Sequence, residues 1–369
     1  MDFISFWVIE VRELITLEDF KKAKDMYMPR NMIMGHGVIS RIAGVCDDLI
    51  IGRNVMIVTG NETYKAAGRD VEEILIDSKY DVTIIKTGNA TMENVDFVAD
   101  EAKKCGSDVL VSVGGGSKID IGKLAAKKCG VHMISIPTCA SHDGIASGRA
   151  SIKSDRGSLS MDATVPLSVI ADTEVIVKSP YKLMASGCAD VISNMTAVMD
   201  WEFARRLRNE EFSSYAHSLA LYSAHSVIKN SGMIRPNFEE SVWMAVKPLV
   251  ISGLSMSVAG SSRPTSGSEH MFSHALDIIA PGVALHGEQC GVGSIMMMYL
   301  HGGDWVTIRN ALAAIGAPVD AKGLGVSRED IIQALTDAHK IRNDRFTILG
   351  DRGLTEDAAE AVAKNTGVI

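Results

Sequence analysis

Between Asn54 and Thr138 the chain alternates four β-branched runs with helical stretches, and this alternation restricts the fold more than any other feature. The runs are 54–60, 81–88, 108–116 and 132–138, and the first three close on glycine. Between them, 62–79, 92–105 and 117–128 carry apolar residues at helical spacing. Strands separated by helices of this length pair in parallel through right-handed crossovers. The extended segment 165–176 completes the sheet, and Pro180 marks its boundary. Beyond Tyr181 the periodicity becomes helical: a short helix ending at Gly187, then 188–206, 212–229, 238–258, 268–280, 286–301, 304–315, 328–342 and 354–369. A chain of 369 residues usually forms two domains. The expected division is an α/β dinucleotide-binding domain, 1–179, and an all-helical domain holding metal and substrate, 180–369. Residues 1–30 are charged and helical in tendency, without a place in this pattern.

Ligands of a parallel sheet bind at the carboxyl ends of its strands. There the chain places Gly114, Gly115, Gly116 and Ser117, between a strand and a helix. Glycines let backbone N–H groups approach an anion, and the helix N-terminus adds positive potential. A diphosphate is the expected guest, although tight turns alone explain most glycine triplets. The pattern is neither G-x-G-x-x-G nor a Walker motif, which disfavours ATP hydrolysis. The next loop on the same rim is Pro137-Thr138-Cys139-Ala140-Ser141-His142-Asp143-Gly144. Thr138 and Ser141 can donate to a cofactor, and Asp143 can accept from a substrate hydroxyl or simply close an Asx turn.

The helical half carries SGSEHMFSHALDIIAPGVALHGEQCG, 266–291. His270 and His274 stand four apart and share a helix face. Pro281-Gly282 then breaks the helix, so His286 can fold back towards His270. Two imidazoles and one carboxylate form the ligand set of a catalytic zinc with one open position. Asp190 is the best free carboxylate to complete it, although an acid in a first helical turn also suits the helix dipole.

Formal net charge is −8, and no basic block interrupts the acidic balance. Nucleic acid and anionic membrane surfaces are therefore poor partners. An anionic small-molecule substrate would need a local cationic site. Six scattered cysteines without a C-x-x-C pair suit reduced thiols in a cytoplasmic protein. No run of about 18 uninterrupted apolar residues reads as a membrane span.

Together GGGSKIDIGK (114–123), PTCASHDGIASG (137–148), GCADVISN (187–194), RPTSGSEHMFSH (263–274), LHGEQCGVG (285–293) and the C-terminal GLTEDAAEAVAKNTGVI resemble the superfamily of iron-containing alcohol dehydrogenases, glycerol dehydrogenases and dehydroquinate synthases. The resemblance runs from about Pro29 to Ile369. It implies a Rossmann-like domain, an all-helical domain of the dehydroquinate synthase type and a site between them. It further implies one zinc per chain on Asp190, His270 and His286, with substrate contacts from Asp143, Asp190 and His274. NAD or NADP would lie on Gly114, Gly115, Gly116, Ser117, Lys118, Thr138, Cys139, Ala140, Ser141 and Ser147. Asn194 stands where some relatives add a histidine for iron, which favours zinc. Some NAD-specific relatives carry aspartate at the Asn61 position, so Asn61 is expected near the adenosine ribose and tolerant of both cofactors.

The branch most resembled reduces dihydroxyacetone phosphate to sn-glycerol 1-phosphate for archaeal membrane lipids. Arg263 is the expected phosphate ligand, because a guanidinium fork suits phosphate oxygens. A homo-oligomer is expected, of unassigned order. The competing readings are a polyol dehydrogenase of the same superfamily, a dehydroquinate synthase and a non-catalytic nucleotide-binding regulator.

Overall fold

Six strands make one parallel sheet in the order β1-β8-β5-β4-β2-β3. The computed structural model describes residues 25–154 and 157–369, so the charged start of the chain, 1–24, lies outside the described residues. The strands are β1 (Asn31–Gly35), β2 (Asn54–Thr59), β3 (Asp81–Lys86), β4 (Val109–Gly114), β5 (His132–Pro137) and β8 (Ser168–Asp172). A separate antiparallel hairpin pairs β6 (Arg149–Ser154) with β7 (Gly157–Asp162). β4 and β8 are buried along their whole length, and β2 and β5 are exposed only at their first residue. Central parallel strands covered on both faces need such continuous apolar runs. The edge strands β1 and β3 are only partly covered.

Helices cover the sheet. α1 is Ile42–Asp48; α2 runs as Asn61–Thr63, a π turn over Tyr64–Gly68 and Arg69–Asp77; α3 is Met92–Lys104; α4 is Gly116–Cys129. The connection β2–α2–β3 leads towards one edge and β4–α4–β5 towards the other, so the order reverses between the neighbours β2 and β4. A crevice opens outside the carboxyl ends of strands at such a reversal.

The expected extended segment 165–176 is extended only in part. Asp172 ends β8, and its carboxylate accepts the N–H groups of Gly37, Ile39 and Glu174. That cap starts a short helix, α5 (Thr173–Ile176).

All described elements beyond α5 are helical: α6 (Tyr181–Arg208), α7 (Ser214–Asn230), α8 (Glu239–Ala259), α9 (Ser268–Ile279), α10 (His286–Leu300), α11 (Trp305–Ile315), α12 (Ala321–Leu324), α13 (Arg328–Asp337) and α14 (Glu356–Asn365). Gly187 does not end a short helix, because α6 runs 28 residues straight through it. A β-carbon built on Gly187 would lie 2.1 Å from the Ala140 carbonyl oxygen, so glycine is there to let the loop after β5 touch the helix. α8 is long and apolar enough to cross a membrane, yet 61% of its apolar window is buried inside the protein. All six cysteines are free thiols.

Candidate functional site

Asp190 lies near the middle of α6 and is 5% exposed. His270 sits in the first turn of α9, and His286 opens α10. The start of α10 is fixed by Glu288, whose carboxylate accepts the Leu285 N–H at 2.9 Å. Pro281-Gly282 supplies the break, with Gly282 at φ +74°. The two imidazoles meet edge to face, with ring centroids 4.9 Å apart.

Hydrogen bonding sets which nitrogen each ring offers inward. His270 Nδ1 lies 2.9 Å from the buried Glu269 carboxylate, which accepts its proton. Around His286 a chain runs outward: Gln289 Nε2 donates to Asp277, the Ser273 hydroxyl donates to Gln289 Oε1, and His286 Nδ1 lies 3.0 Å from Ser273 Oγ. Ser273 has spent its only proton on Gln289, so its oxygen accepts from His286 Nδ1–H. Both rings therefore turn unprotonated Nε2 atoms towards Asp190 Oδ1, at 3.7 and 3.9 Å. These separations exceed a hydrogen bond. Burial holds the His270 pKa well below its ordinary value, so an imidazolium does not supply the positive charge. Two lone pairs and a buried carboxylate facing one point repel each other unless a cation stands between them. Imidazoles oriented through Nδ1 to acceptors behind them are the usual support of a metal site.

Cys290 joins this set from one turn beyond His286, with Sγ 3.6 Å from His286 Nε2. The donor atoms of Asp190, His270, His286 and Cys290 all lie within 4.8 Å of one another. The i, i+4 spacing in HGEQC was the available signal for Cys290. Burial pushes its thiol pKa far up, so without a metal it stays protonated. His274 borders the cluster, with its ring 5.6 Å from that of His286. Its buried Nδ1 has no hydrogen-bond partner among the described residues.

Asp143 approaches from the loop after β5. Its backbone N–H donates to Asp190 Oδ2 at 3.3 Å, and its own Oδ2 accepts the Ser252 hydroxyl at 2.8 Å. Burial, then the Asp190 charge, push the Asp143 pKa upward. The Asn194 amide nitrogen donates to Ser223 and Ser252, so it steadies the serine that holds Asp143. Lys123, the last residue of GGGSKIDIGK but given no role there, is fully buried in α4. Its ammonium donates to the Gly144 carbonyl at 2.6 Å and to the Arg149 carbonyl, and it pairs with Asp120 at 3.3 Å. It ties the loop carrying Asp143 to α4.

The glycines lie at the reversal in strand order. No side chain caps α4, whose N-terminus faces the crevice from Gly115 and Gly116. Lys118 lies across the ends of three strands. β-Carbons on Gly60 and Gly114 would come 2.8 and 2.5 Å from its side-chain carbons, and its ammonium donates to the Gly88 carbonyl. Gly115 and Gly116 also have packing reasons: their β-carbons would lie 3.1 Å from Cys139 Sγ and 1.9 Å from His142 Nε2. Thr138 N–H donates to the Gly114 carbonyl at 3.1 Å, binding the two loops together. The structure thus gathers Gly114 to Lys118 with Thr138, Cys139, Ala140 and Ser141. Ser147 is fully buried, with its hydroxyl turned to the backbone of Arg149. Asn61 opens α2 just past Gly60 and is exposed.

A sequence model of the iron-containing alcohol dehydrogenase family matches residues 33–180. Two solved structures share the fold across 94% of this chain at 17% identity: a probable glycerol dehydrogenase from Sinorhizobium meliloti, covered in full with a TM-score of 0.76, and the glycerol dehydrogenase of Schizosaccharomyces pombe, covered to 90% with a TM-score of 0.77. The glycerol-1-phosphate dehydrogenase [NAD(P)+] of Methanosarcina mazei is 53% identical over 347 residues, which is 94% of this chain and 97% of that protein. The chain belongs to the glycerol-1-phosphate dehydrogenase family. The member from Methanothermobacter thermautotrophicus is also 53% identical, over 94% of this chain and 99% of its own length.

Arg263 is buried, with Glu210 at 2.7 Å and the Phe346 carbonyl at 3.0 Å as partners and its Nη1 without a hydrogen-bond partner among the described residues. The remaining geometry depends on how closely two helices cross. β-Carbons on Gly287 and Gly291 of α10 would lie 2.0 Å from Ser186 O and 3.0 Å from Ala189 Cβ of α6. This seam of small residues sets His286 and Cys290 beside Asp190. Gly287→Ala overpacks it and is expected to destabilise the protein by about 2 kcal/mol. The same change should lower bound metal, because His286 moves with the helix. A melting curve and a metal assay on the purified variant test both; wild-type values would show that the seam has slack.

Proposed function

We propose that the chain reduces dihydroxyacetone phosphate to sn-glycerol 1-phosphate with NADPH or NADH, using one zinc held by Asp190, His270 and His286. The observation that carries this reading is the pair of inward-facing imidazole Nε2 atoms around Asp190, in a chain 53% identical over 94% of its length to a glycerol-1-phosphate dehydrogenase. When bound, zinc supplies a Lewis acid that polarises the ketone and offsets the negative charge developing on its oxygen. With these three ligands one position stays open to substrate, and Cys290, with Sγ 3.6 Å from His286 Nε2, borders it.

The chain's own groups do the rest. Asp143 and His274 border the donor cluster, and the partnerless His274 Nδ1 is available to a substrate hydroxyl. Ser252 and Lys123 keep Asp143 in place through its carboxylate and its loop. The uncapped start of α4 and Lys118 face the crevice that would receive the cofactor diphosphate. The α/β part, 1–179, holds the dinucleotide and the helical part, 180–369, holds metal and substrate.

The deciding assay compares NAD(P)H oxidation with dihydroxyacetone phosphate and with dihydroxyacetone. Strong preference for the phosphorylated triose, with product of sn-1 configuration, is expected. Equal catalytic efficiency on the two would replace this reading with a polyol dehydrogenase.

Cofactor choice gives a second test. Asn61 is exposed beside Gly60, where an acid would repel a 2′-phosphate, and Glu62 is held by Lys65 at 2.9 Å on the solvent side. Both cofactors are therefore expected to work, NADPH at least as well. Asn61→Asp should weaken NADPH selectively, by roughly ten- to a hundredfold. An unchanged ratio of the two efficiencies would remove Asn61 from the ribose site.

A further inference from the structure

Ser273 and Asp277 stand four apart on one face of α9, and His286 and Gln289 three apart on α10, so the crossing of the two helices gathers all four. Ser273 and Gln289 are fully buried, where polar groups need partners. The Gln289 amide meets Asp277 at one end, at 3.1 Å, and Ser273 at the other, at 2.7 Å. A carboxylate only accepts, so the amide must turn its NH2 to Asp277 and its oxygen to Ser273. Every later link is then forced. Ser273 spends its proton on Gln289, accepts from His286 Nδ1–H at 3.0 Å, and leaves Nε2 bare towards Asp190. With the amide reversed, its NH2 would donate to Ser273 and Ser273 would donate to Nδ1. The ring proton would then sit on Nε2, where it blocks a metal bond.

The helix itself does not ask for this acid. Asp277 lies in the last turn of α9, where a negative charge opposes the helix dipole. Its hydrogen-bond partners among the described residues are neutral: Gln289 on Oδ1 and, on Oδ2, the Ser158 hydroxyl at 3.2 Å. Ser158 belongs to β7, and β7 packs on α9. The hairpin is fastened to the α/β part at three points. Ser151 N–H donates to Asp120 at 3.1 Å, Lys153 N–H to the Ala90 carbonyl at 2.8 Å, and the Lys127 ammonium to the Asp162 carbonyl at 3.0 Å. The Asp277 carboxylate is therefore held between a buried amide of the helical part and a hairpin tied to the sheet side.

We propose that Asp277 is the positioning residue that fixes the tautomer of His286 for the metal, and that Ser158 of the hairpin steadies it from the α/β part. The inference rests on the zinc reading above. It makes the hairpin a support of metal binding although it supplies no donor atom.

The first measurement needs no variant. In metal-free wild type with isotope-labelled histidine rings, read by NMR, Nδ1 of His286 should carry the proton and Nε2 none. His286→Ala identifies the signals by their loss. A protonated Nε2 overturns the proposal. Asp277→Leu, close in volume and unable to accept, should shift the proton of His286 towards Nε2. It should also weaken zinc about thirtyfold in a chelator competition, as expected when the support of a ligand is lost. Asp277→Asn can present Gln289 with an acceptor or a donor, so both tautomers and a smaller loss are expected. Ser158→Ala should weaken zinc roughly threefold, since one neutral hydrogen bond is lost. Unchanged affinity there removes the hairpin from the proposal. A merely structural Asp277 would lower the melting temperature of the leucine variant and leave tautomer and zinc affinity at wild-type values, which overturns the assignment. Failure of the zinc reading would look different: His270→Ala would keep the metal, while the tautomer of the metal-free protein still answered to Asp277.

Discussion

His270→Ala is expected to yield a folded chain without the proposed zinc and with nearly all activity lost, a fall of roughly a thousandfold or more. His270 offers Nε2 towards Asp190 because Glu269 holds its Nδ1. Without it, the proposed ligand set drops from three to two. Alanine leaves a small polar hole that water can fill, so melting should shift only modestly in the metal-free comparison. Cys290→Ser is the matched control. It changes the fourth nearby donor, yet on the present reading it keeps close to one zinc per chain and most activity. The measurement is metal content after gel filtration, together with turnover. If Cys290→Ser loses the metal and His270→Ala keeps it, the ligand set is wrong.

Lys123→Ala should cost about 3–5 kcal/mol, or roughly 4–6 °C in melting temperature. The ammonium is fully buried and serves Asp120, the Gly144 carbonyl and the Arg149 carbonyl together. Removing it leaves a buried carboxylate and two carbonyls without their shared donor. Lys123→Met combined with Asp120→Asn removes the unbalanced charge while retaining an acceptor for the Ser151 N–H. That pair should recover part of the loss. Catalysis should fall in the single variant as well, since the loop released carries Asp143. A single variant that melts like wild type would show that this buried pair does not hold the loop.

The central strands were legible because a parallel strand buried on both faces must be a continuous β-branched run. β1, Asn-Met-Ile-Met-Gly, lacks that enrichment and was not recognised as a strand, although it pairs with β8 along its whole length. The hairpin β6–β7 was also missed, since its strands are largely polar and their alternation rests on only two apolar residues each, Ala150 and Ile152, Leu159 and Met161. Gly187 misled for a different reason. A glycine near a helix end reads as a stop, whereas here it answers to Ala140, a neighbour the local sequence does not reveal. At the site, the residue types and the turn at Pro281-Gly282 made His270 and His286 readable. The choice of Nε2 over Nδ1 was not, because Glu269, Ser273 and Gln289 set it through contacts that exist only in the folded chain. Lys123 was hidden likewise: a lysine in an amphipathic helix is ordinarily a solvated one, and two carbonyls from a distant loop make this one structural. Arg263 was assigned by its chemistry alone, and its pairing with Glu210 is a contact that only the folded chain reveals.

The glycines where α6 meets α10 and the loop after β5 have a consequence for how such a chain tolerates change. Gly187, Gly287 and Gly291 donate nothing to a metal, yet an added methyl at any of them presses on the backbone or side chains that position the donors. In a library of random single substitutions, inactive variants should therefore gather at these three positions as densely as at Asp190, His270 and His286. The two groups would divide under a zinc titration. Ligand losses should remain metal-poor at any concentration, whereas seam variants that stay folded should regain part of their occupancy, since their donors are intact and only spread apart. Stabilising substitutions elsewhere in the chain should rescue the second group and leave the first untouched.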